Sequence, residues 1–283
     1  MIYAISILYF ILLALNEKRQ VFPDGERYFS NERLSMPFSL RWLLRDICKQ
    51  NEILWSVFAY IPVIAIPIIS YYYFLALGFT DFQATIGGAL VCGLGGVTLV
   101  NYALKYMSDG FGMLCMITAL WLFKIDLTLW GILVTLIGSM ANEKTFVYVT
   151  LMSLNPYALI GAIPVLIRYL VYKHADSDYL GGDEIIKHPF KSGIEFHKGF
   201  WFDPKRSVLV WGVTIIAFAN MNIHLAVVLL VAYGSILLAT DSTRLIHWAF
   251  PIMVASMLSI TPDSWLIPLT VLHWFNPYRA NCI

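Results

Sequence analysis

The sequence has little charge. Of its 283 residues, 19 are Lys or Arg and 18 are Asp or Glu, so 13% are charged against 59% hydrophobic, and the mean hydropathy is +0.70. A soluble domain carries roughly 25% charged residues, and half that number cannot cover the surface of a chain this long. High hydrophobicity also excludes a disordered chain. The net charge of +1 leaves no basic excess for nucleic acid. Cysteine is sparse too: Cys48, Cys92, Cys115 and Cys282 stand far apart with no C-x-x-C, so neither a disulfide framework nor a zinc site is legible. Cys92 and Cys115 fall in apolar runs, where a free cysteine is ordinarily a small buried hydrophobe. The longest polar stretches, residues 16–53 and 173–206, are too short for a separate soluble domain. What remains is an all-α chain, a polytopic bundle of membrane-spanning helices forming one domain over residues 1–283.

Residues 1–15 are apolar without a basic lead-in or a small-residue cleavage site, and they read as an uncleaved first helix. Further apolar runs cover 54–78, 84–104, 111–124, 127–141, 145–172, 207–222, 224–239 and 245–260, while 264–275 is too short and too polar to count. Asn155-Pro156 interrupts the run at 145–172. A kink there gives nine spans and a tight turn gives ten. Proline disfavours helix in the residue before it, but a ten-residue span is short for a bilayer core that takes about 20 residues, so both counts stay open. Ala84, Gly88, Cys92 and Gly96 recur every four residues, a small-residue face that lets helices approach closely. Residues 37–50 set Leu40, Leu43, Leu44 and Ile47 on one helical face and Arg41, Arg45 and Lys49 on another. That pattern predicts an amphipathic helix lying in the membrane interface.

Because an ionisable group at membrane depth costs about 2.5–3.5 kcal/mol on insertion scales, each charge beside an apolar run needs a reason. Four clusters stand out: Asp24 in FPDGERYF, Asp109 in KYMSDGFG, Glu143-Lys144 in ANEKTF, and Asp241 with Arg244 in ATDSTRLIHWAFP. Taken singly, each has a plain explanation: a Pro-Asp-Gly turn, a solvated loop charge, or an ion pair at i,i+3 spacing. Taken together, Asp24, Asp109 and Glu143 follow odd-numbered spans and share one side of the membrane. With ten spans Asp241 and Arg244 join them; with nine they lie opposite. Trp42, Trp55, Trp201, Trp265 and Trp274 fall near span ends, where aromatic belts are usual. His188 and His197, beside Glu195 and Asp203, match no metal spacing and read as part of a solvated loop.

The order of these features resembles the C-type superfold of membrane glycosyltransferases, which use polyprenyl-phosphate sugars as donors. The resemblance spans most of the chain. It rests on Asp24 in PDGERY, Pro37-Phe38-x-x-Arg41, Asp109, Glu143-Lys144-Thr145, and Asp241-x-x-Arg244 running into Phe250-Pro251. The chain departs from that superfold in its short length, in having no separate domain after its last span, and in its Glu-Lys order. The resemblance implies inverting transfer of a sugar to a cell-envelope glycan or lipid, with Asp24 as general base. It implies substrate binding by Asp109, Arg41, Glu143, Lys144, Asp241 and Arg244. Arg suits a phosphate through its planar fork, and Arg244 is the first candidate with Arg41 second. A divalent cation shared by Asp24 and Asp109 is optional. The implied partners are the bilayer, the lipid-linked sugar and the acceptor.

One conflict runs through this reading. With ten spans, nearly all Lys and Arg residues, Lys124 and Arg279 excepted, fall on the side of the four clusters. Positive residues usually mark cytoplasmic loops, whereas the resemblance implies an extracytoplasmic site in a bacterial inner membrane. The motif order weighs more here, so the site is expected outside. The competing class is a non-enzymatic membrane protein, transporter-like or a phage exclusion protein. It would need charges lining a path inside the spans, and few mid-span ionisable residues are present.

Overall fold

A computed structural model describes residues 1–21, 48, 51–105, 109–171, 189–238 and 243–279. The architecture is all-α. Helix α1 covers Ile2–Asn16, α2 Glu52–Ala76, α3 Asp81–Gly93, α4 Val100–Ala103, α5 Asp109–Lys124, α6 Thr128–Ala141, α7 Lys144–Ser153 and α8 Ile163–Val171. After it come α9 at Pro189–Phe196, α10 at Ile223–Gly234, α11 at Thr243–Ile246, α12 at Phe250–Ile260 and α13 at Asp263–Trp274, with tighter 3-10 turns at Pro156–Ala162, Leu209–Asn220, Ser235–Leu238 and His247–Ala249. Among the described residues the extended exception is a two-residue parallel pair, β1 (Gln20–Val21) beside β2 (Leu104–Lys105).

Local chemistry sets several helix starts. Asn51 accepts from the amides of Ile53 and Leu54 at the head of α2, Asn222 accepts from Leu225 at the head of α10, and Thr80 with Gln83 closes a reciprocal capping box on α3. Helix α2 runs 25 residues through Pro62 and Pro67 and is long and apolar enough to cross a membrane. Among the described residues, six further apolar helical stretches are shorter, at 10–17 residues. Helix α5 packs against α2, α6 and α7; α3 is enclosed by α1, α2, α12 and α13.

Three sequence expectations change here. First, residues 84–104 do not form one straight helix. The chain breaks at Leu94, runs through a π-helical turn at Gly95–Leu99, and the two halves meet at 66°. The small-residue face therefore ends early: Gly88 fits against Ile2 and the Pro67 carbonyl, while Gly96 lies past the break against His247. Second, 264–275 is a full helix, α13, despite its polarity. His273 Nε2 reaches the Leu90 carbonyl at 3.0 Å and Trp274 Nε1 the Ala89 carbonyl at 2.7 Å, so these two ring nitrogens are met inward by α3, while His273 Nδ1 is buried with no hydrogen-bond partner among the described residues. This extra helix brings Arg279 to Glu17 at 3.5 Å, at the opposite end of the bundle from Lys124, where counting without α13 had put both. Third, part of 173–206 is not a solvated loop: α9 and two single turns follow one another there, and His197 is buried. His188 lies outside the described residues.

Asn155-Pro156 is a turn. Leu154 ends α7 in the left-handed region at φ 54°, and Asn155 caps the Tyr157 amide. The reversal is unambiguous because a Cβ on Gly161 would lie 2.8 Å from that of Phe146, 15 positions earlier. One continuous helix would hold residues so spaced about 22 Å apart. Of the amphipathic segment 37–50, Cys48 alone is described: it is helical and buried, and burial pushes its thiol pKa upward.

Candidate functional site

Four parts of the chain meet at a small crevice at one end of the bundle. The broken helix supplies Gly96 and Asn101, the first turn of α5 supplies Asp109, the α6–α7 turn supplies Asn142 and Lys144, and α11 with the turn after it supplies Leu245 and Trp248. The enclosed space is about 10 Å³, room for about one water.

Asp109 is 6% exposed and opens α5. Asn142, 2% exposed, donates from Nδ2 to Asp109 Oδ1 at 2.6 Å, while its own Oδ1 accepts the Lys144 amide at 3.0 Å. One amide thus fixes both the carboxylate and the start of α7. A negative side chain in the first turn of α5 also meets the positive end of the helix dipole. The glycines of DGFG permit this convergence. A Cβ on Gly110 would come within 3.1 Å of Asn101 Cγ, and one on Gly112 within 2.9 Å of Asn142 Cβ and 3.0 Å of the Trp248 ring. Thr145 ties α7 back to α5 by donating to the Gly112 carbonyl. Trp248 forms the apolar wall and stacks on Tyr148 with centroids 5.8 Å apart.

Asp109 and Lys144 of the sequence-derived set therefore line one crevice. Glu143 stands at the start of α7, half-buried. Arg244 lies on α11, directly before the crevice residue Leu245, so its helix stands at the same end of the bundle as Asp109. The Arg244 side chain, Asp24, Arg41 and Asp241 lie outside what is described. Sequence reasoning passed over Asn101, Asn142 and Trp248. Asn142 precedes Glu143 inside a motif already singled out, and Asn101 is a polar residue in an apolar run; those were the available signals. Among the described residues, no group of three or more His, Cys, Asp or Glu is placed to hold a metal ion.

The chain matches no family model, no curated protein and no solved structure.

Proposed function

We propose that this chain is a polytopic integral membrane glycosyltransferase of the bacterial plasma membrane. In this reading it moves a sugar from a polyprenyl-phosphate donor to a cell-envelope glycan or lipid at an extracytoplasmic crevice. Two features support the membrane setting. Large apolar side chains are exposed along α1, α6, α8, α10 and α13, among them Leu15, Leu129, Trp130, Leu170, Leu230 and Leu272. A water-soluble monomer seldom shows apolar surface on that scale. Hydroxyls also turn onto their own helices: Ser70, Thr118, Thr135, Ser139, Ser153, Thr261 and Thr270 each donate to the carbonyl four residues back. Such back-bonding satisfies a hydroxyl where no water is at hand.

The observation that carries the enzymatic reading is the convergence of a buried carboxylate, Asp109, with Lys144 and the helix of Arg244 at one polar crevice. The chemistry requires such a set. The acceptor hydroxyl attacks the anomeric carbon, its proton passes to Asp24, and the bond from that carbon to the phosphate oxygen breaks with inversion. The departing polyprenyl phosphate is an anion, met by Arg244 and Arg41 through charge-assisted hydrogen bonds. Asp109, held by Asn142, accepts hydrogen bonds from sugar hydroxyls, with Glu143, Lys144 and Asp241 completing the subsite.

Membranes containing the chain, supplied with radiolabelled polyprenyl-phosphate hexoses, provide the test. Asp24→Asn is expected to cut transfer by about 10²–10⁴-fold, as loss of a general base does, with insertion unchanged. Full transfer by that variant removes Asp24 from the mechanism. Absence of transfer by the unaltered chain from every donor supplied leaves the non-enzymatic class in its place.

A further inference from the structure

Arg19 and Arg279 stand near the crevice end of the bundle, and among the described residues Arg279 pairs with a carboxylate whereas Arg19 does not. Arg279 pairs with Glu17 at 3.5 Å and also donates to the Tyr9 hydroxyl and the Trp274 carbonyl. Arg19 lies two residues beyond Glu17 and makes no ion pair among the described residues. It is nevertheless held firmly. Nε donates to the Tyr102 carbonyl at 3.2 Å, Nη1 donates to Ser56 Oγ at 2.6 Å and to the Tyr60 hydroxyl at 3.3 Å, and the guanidinium sits 4.9 Å from the Tyr60 ring centroid. The Tyr60 ring is itself braced by Phe10 and Tyr102. Three of the five guanidinium donors are so engaged. Nη2 is buried and has no hydrogen-bond partner among the described residues.

Among the described residues, every hydrogen-bond partner of Arg19 is neutral. A partly buried guanidinium whose Nη2 is out of water, held by neutral oxygens and an aromatic face, keeps a demand for an anion. Its rigid setting lowers the ordering cost of meeting one. The location narrows the ligand. Arg19 follows α1 and leads into β1, which pairs with β2 just after α4. On α4, Tyr102 holds Arg19 while its neighbour Asn101 lines the crevice. The exposed apolar residues of α1, including Leu8, Leu12 and Leu15, lead up to it along the helix. An anion that arrives with a hydrocarbon chain fits both halves of that setting.

We propose that Arg19 is a binding residue for the phosphate of a membrane lipid. This deepens the reading above by naming a second cation, outside the motifs, for a lipid-linked phosphate. The test is native mass spectrometry of the full chain purified in detergent, titrated separately with undecaprenyl phosphate, phosphatidylglycerol and inorganic phosphate. Arg19→Gln is expected to weaken lipid-phosphate binding at least ten-fold, whereas Lys124→Gln at the opposite end leaves it unchanged. Loss confined to undecaprenyl phosphate identifies the donor lipid, and equal loss with phosphatidylglycerol identifies a phospholipid headgroup; both support the proposal. Inorganic phosphate binding as tightly as the lipids, or Arg19→Gln binding like the unaltered chain, overturns it. If Arg19→Gln does not fold, Arg19→Lys keeps the charge and loses the fork, and an undiminished affinity in that variant overturns the proposal. Arg19-dependent binding without sugar transfer retains this inference and removes the glycosyltransferase reading; transfer with Arg19-independent binding does the reverse.

Discussion

At the scale of single residues, Asn142 has the largest structural leverage in the crevice. It joins a buried carboxylate to the turn that launches α7. A hydrogen bond to a charged group is worth about 1.5–3 kcal/mol, and leaving its buried acceptor unsatisfied costs a similar amount. Asn142→Ala is therefore expected to lower stability by about 1.5–3 kcal/mol in reversible unfolding in mixed micelles, and to reduce transfer alongside. An unchanged unfolding midpoint would show that Asp109 is positioned by something else. Asn142→Asp, which sets a second carboxylate against Asp109, is expected to be worse than Ala in the same measurement. Asp109 and Lys144 were legible in the sequence because charge is so scarce. Asn142 was not, because a neutral amide carries no visible cost until its burial and partners are known. The same holds for His247 and His273, whose rings fill notches left by Gly96, Gly93 and Gly212.

At the scale of elements, hydropathy located nearly every helix but could not register the break inside 84–104. Glycines spaced for close packing and glycines spaced for a break look alike in a string. The distinction lies in what fills the space: His247 Nδ1 would be 2.2 Å from a Cβ on Gly96, and the Arg279 carbonyl 2.1 Å from one on Gly95. His247 cannot retreat, since it is fully buried with its ring 4.6 Å from that of Trp211. Gly96→Ala is thus expected to destabilise by about 1–3 kcal/mol through overpacking and to distort the crevice that Gly96 lines. In a double-mutant cycle with His247→Ala, the two changes should couple by about 0.5–3 kcal/mol; simple additivity would refute the contact as the cause. The hairpin after α7 supplies the opposite case. Leu154 sits in the left-handed region, which costs an L-residue about 1–2 kcal/mol. Glycine relieves that strain but gives back about 0.5–1 kcal/mol in unfolded-chain entropy. Leu154→Gly is therefore expected to leave stability unchanged or raise it by up to about 1.5 kcal/mol; a clear loss would mean the exposed Leu154 side chain makes contacts of its own.

At the scale of the whole molecule, the bundle has two unequal polar ends joined by apolar walls. One carries Lys124, Asp126, Asp81 and Asp263, with Gln83 linking to Asp263 at 3.0 Å. The other carries the crevice, Arg19, and the Glu17–Arg279 pair. The sequence could set Asp241 and Arg244 on the side of Asp24, Asp109 and Glu143 only by assuming how the chain turns at Asn155-Pro156; the packing of Gly161 on Phe146 supplies that turn, which a hydropathy window cannot register. Orientation is where the two lines of reasoning collide. Among the described residues, Lys18, Arg19, Lys144 and Arg279 stand at the crevice end, and a positive end ordinarily marks the cytoplasm, whereas the proposed transfer to an envelope acceptor would take place outside. In the proposed reading, cations that hold lipid phosphate would account for part of that excess. Single cysteines at positions 18 and 126, both exposed, in a chain whose native cysteines are replaced, measure the answer with a membrane-impermeant maleimide on intact spheroplasts. Position 18 is expected to label from outside and position 126 only after lysis. Labelling of both from one side would refute a bundle that spans the membrane between its two ends. The reversed pattern would keep the spanning bundle, place the crevice in the cytoplasm, and eliminate the extracytoplasmic glycosyltransferase reading.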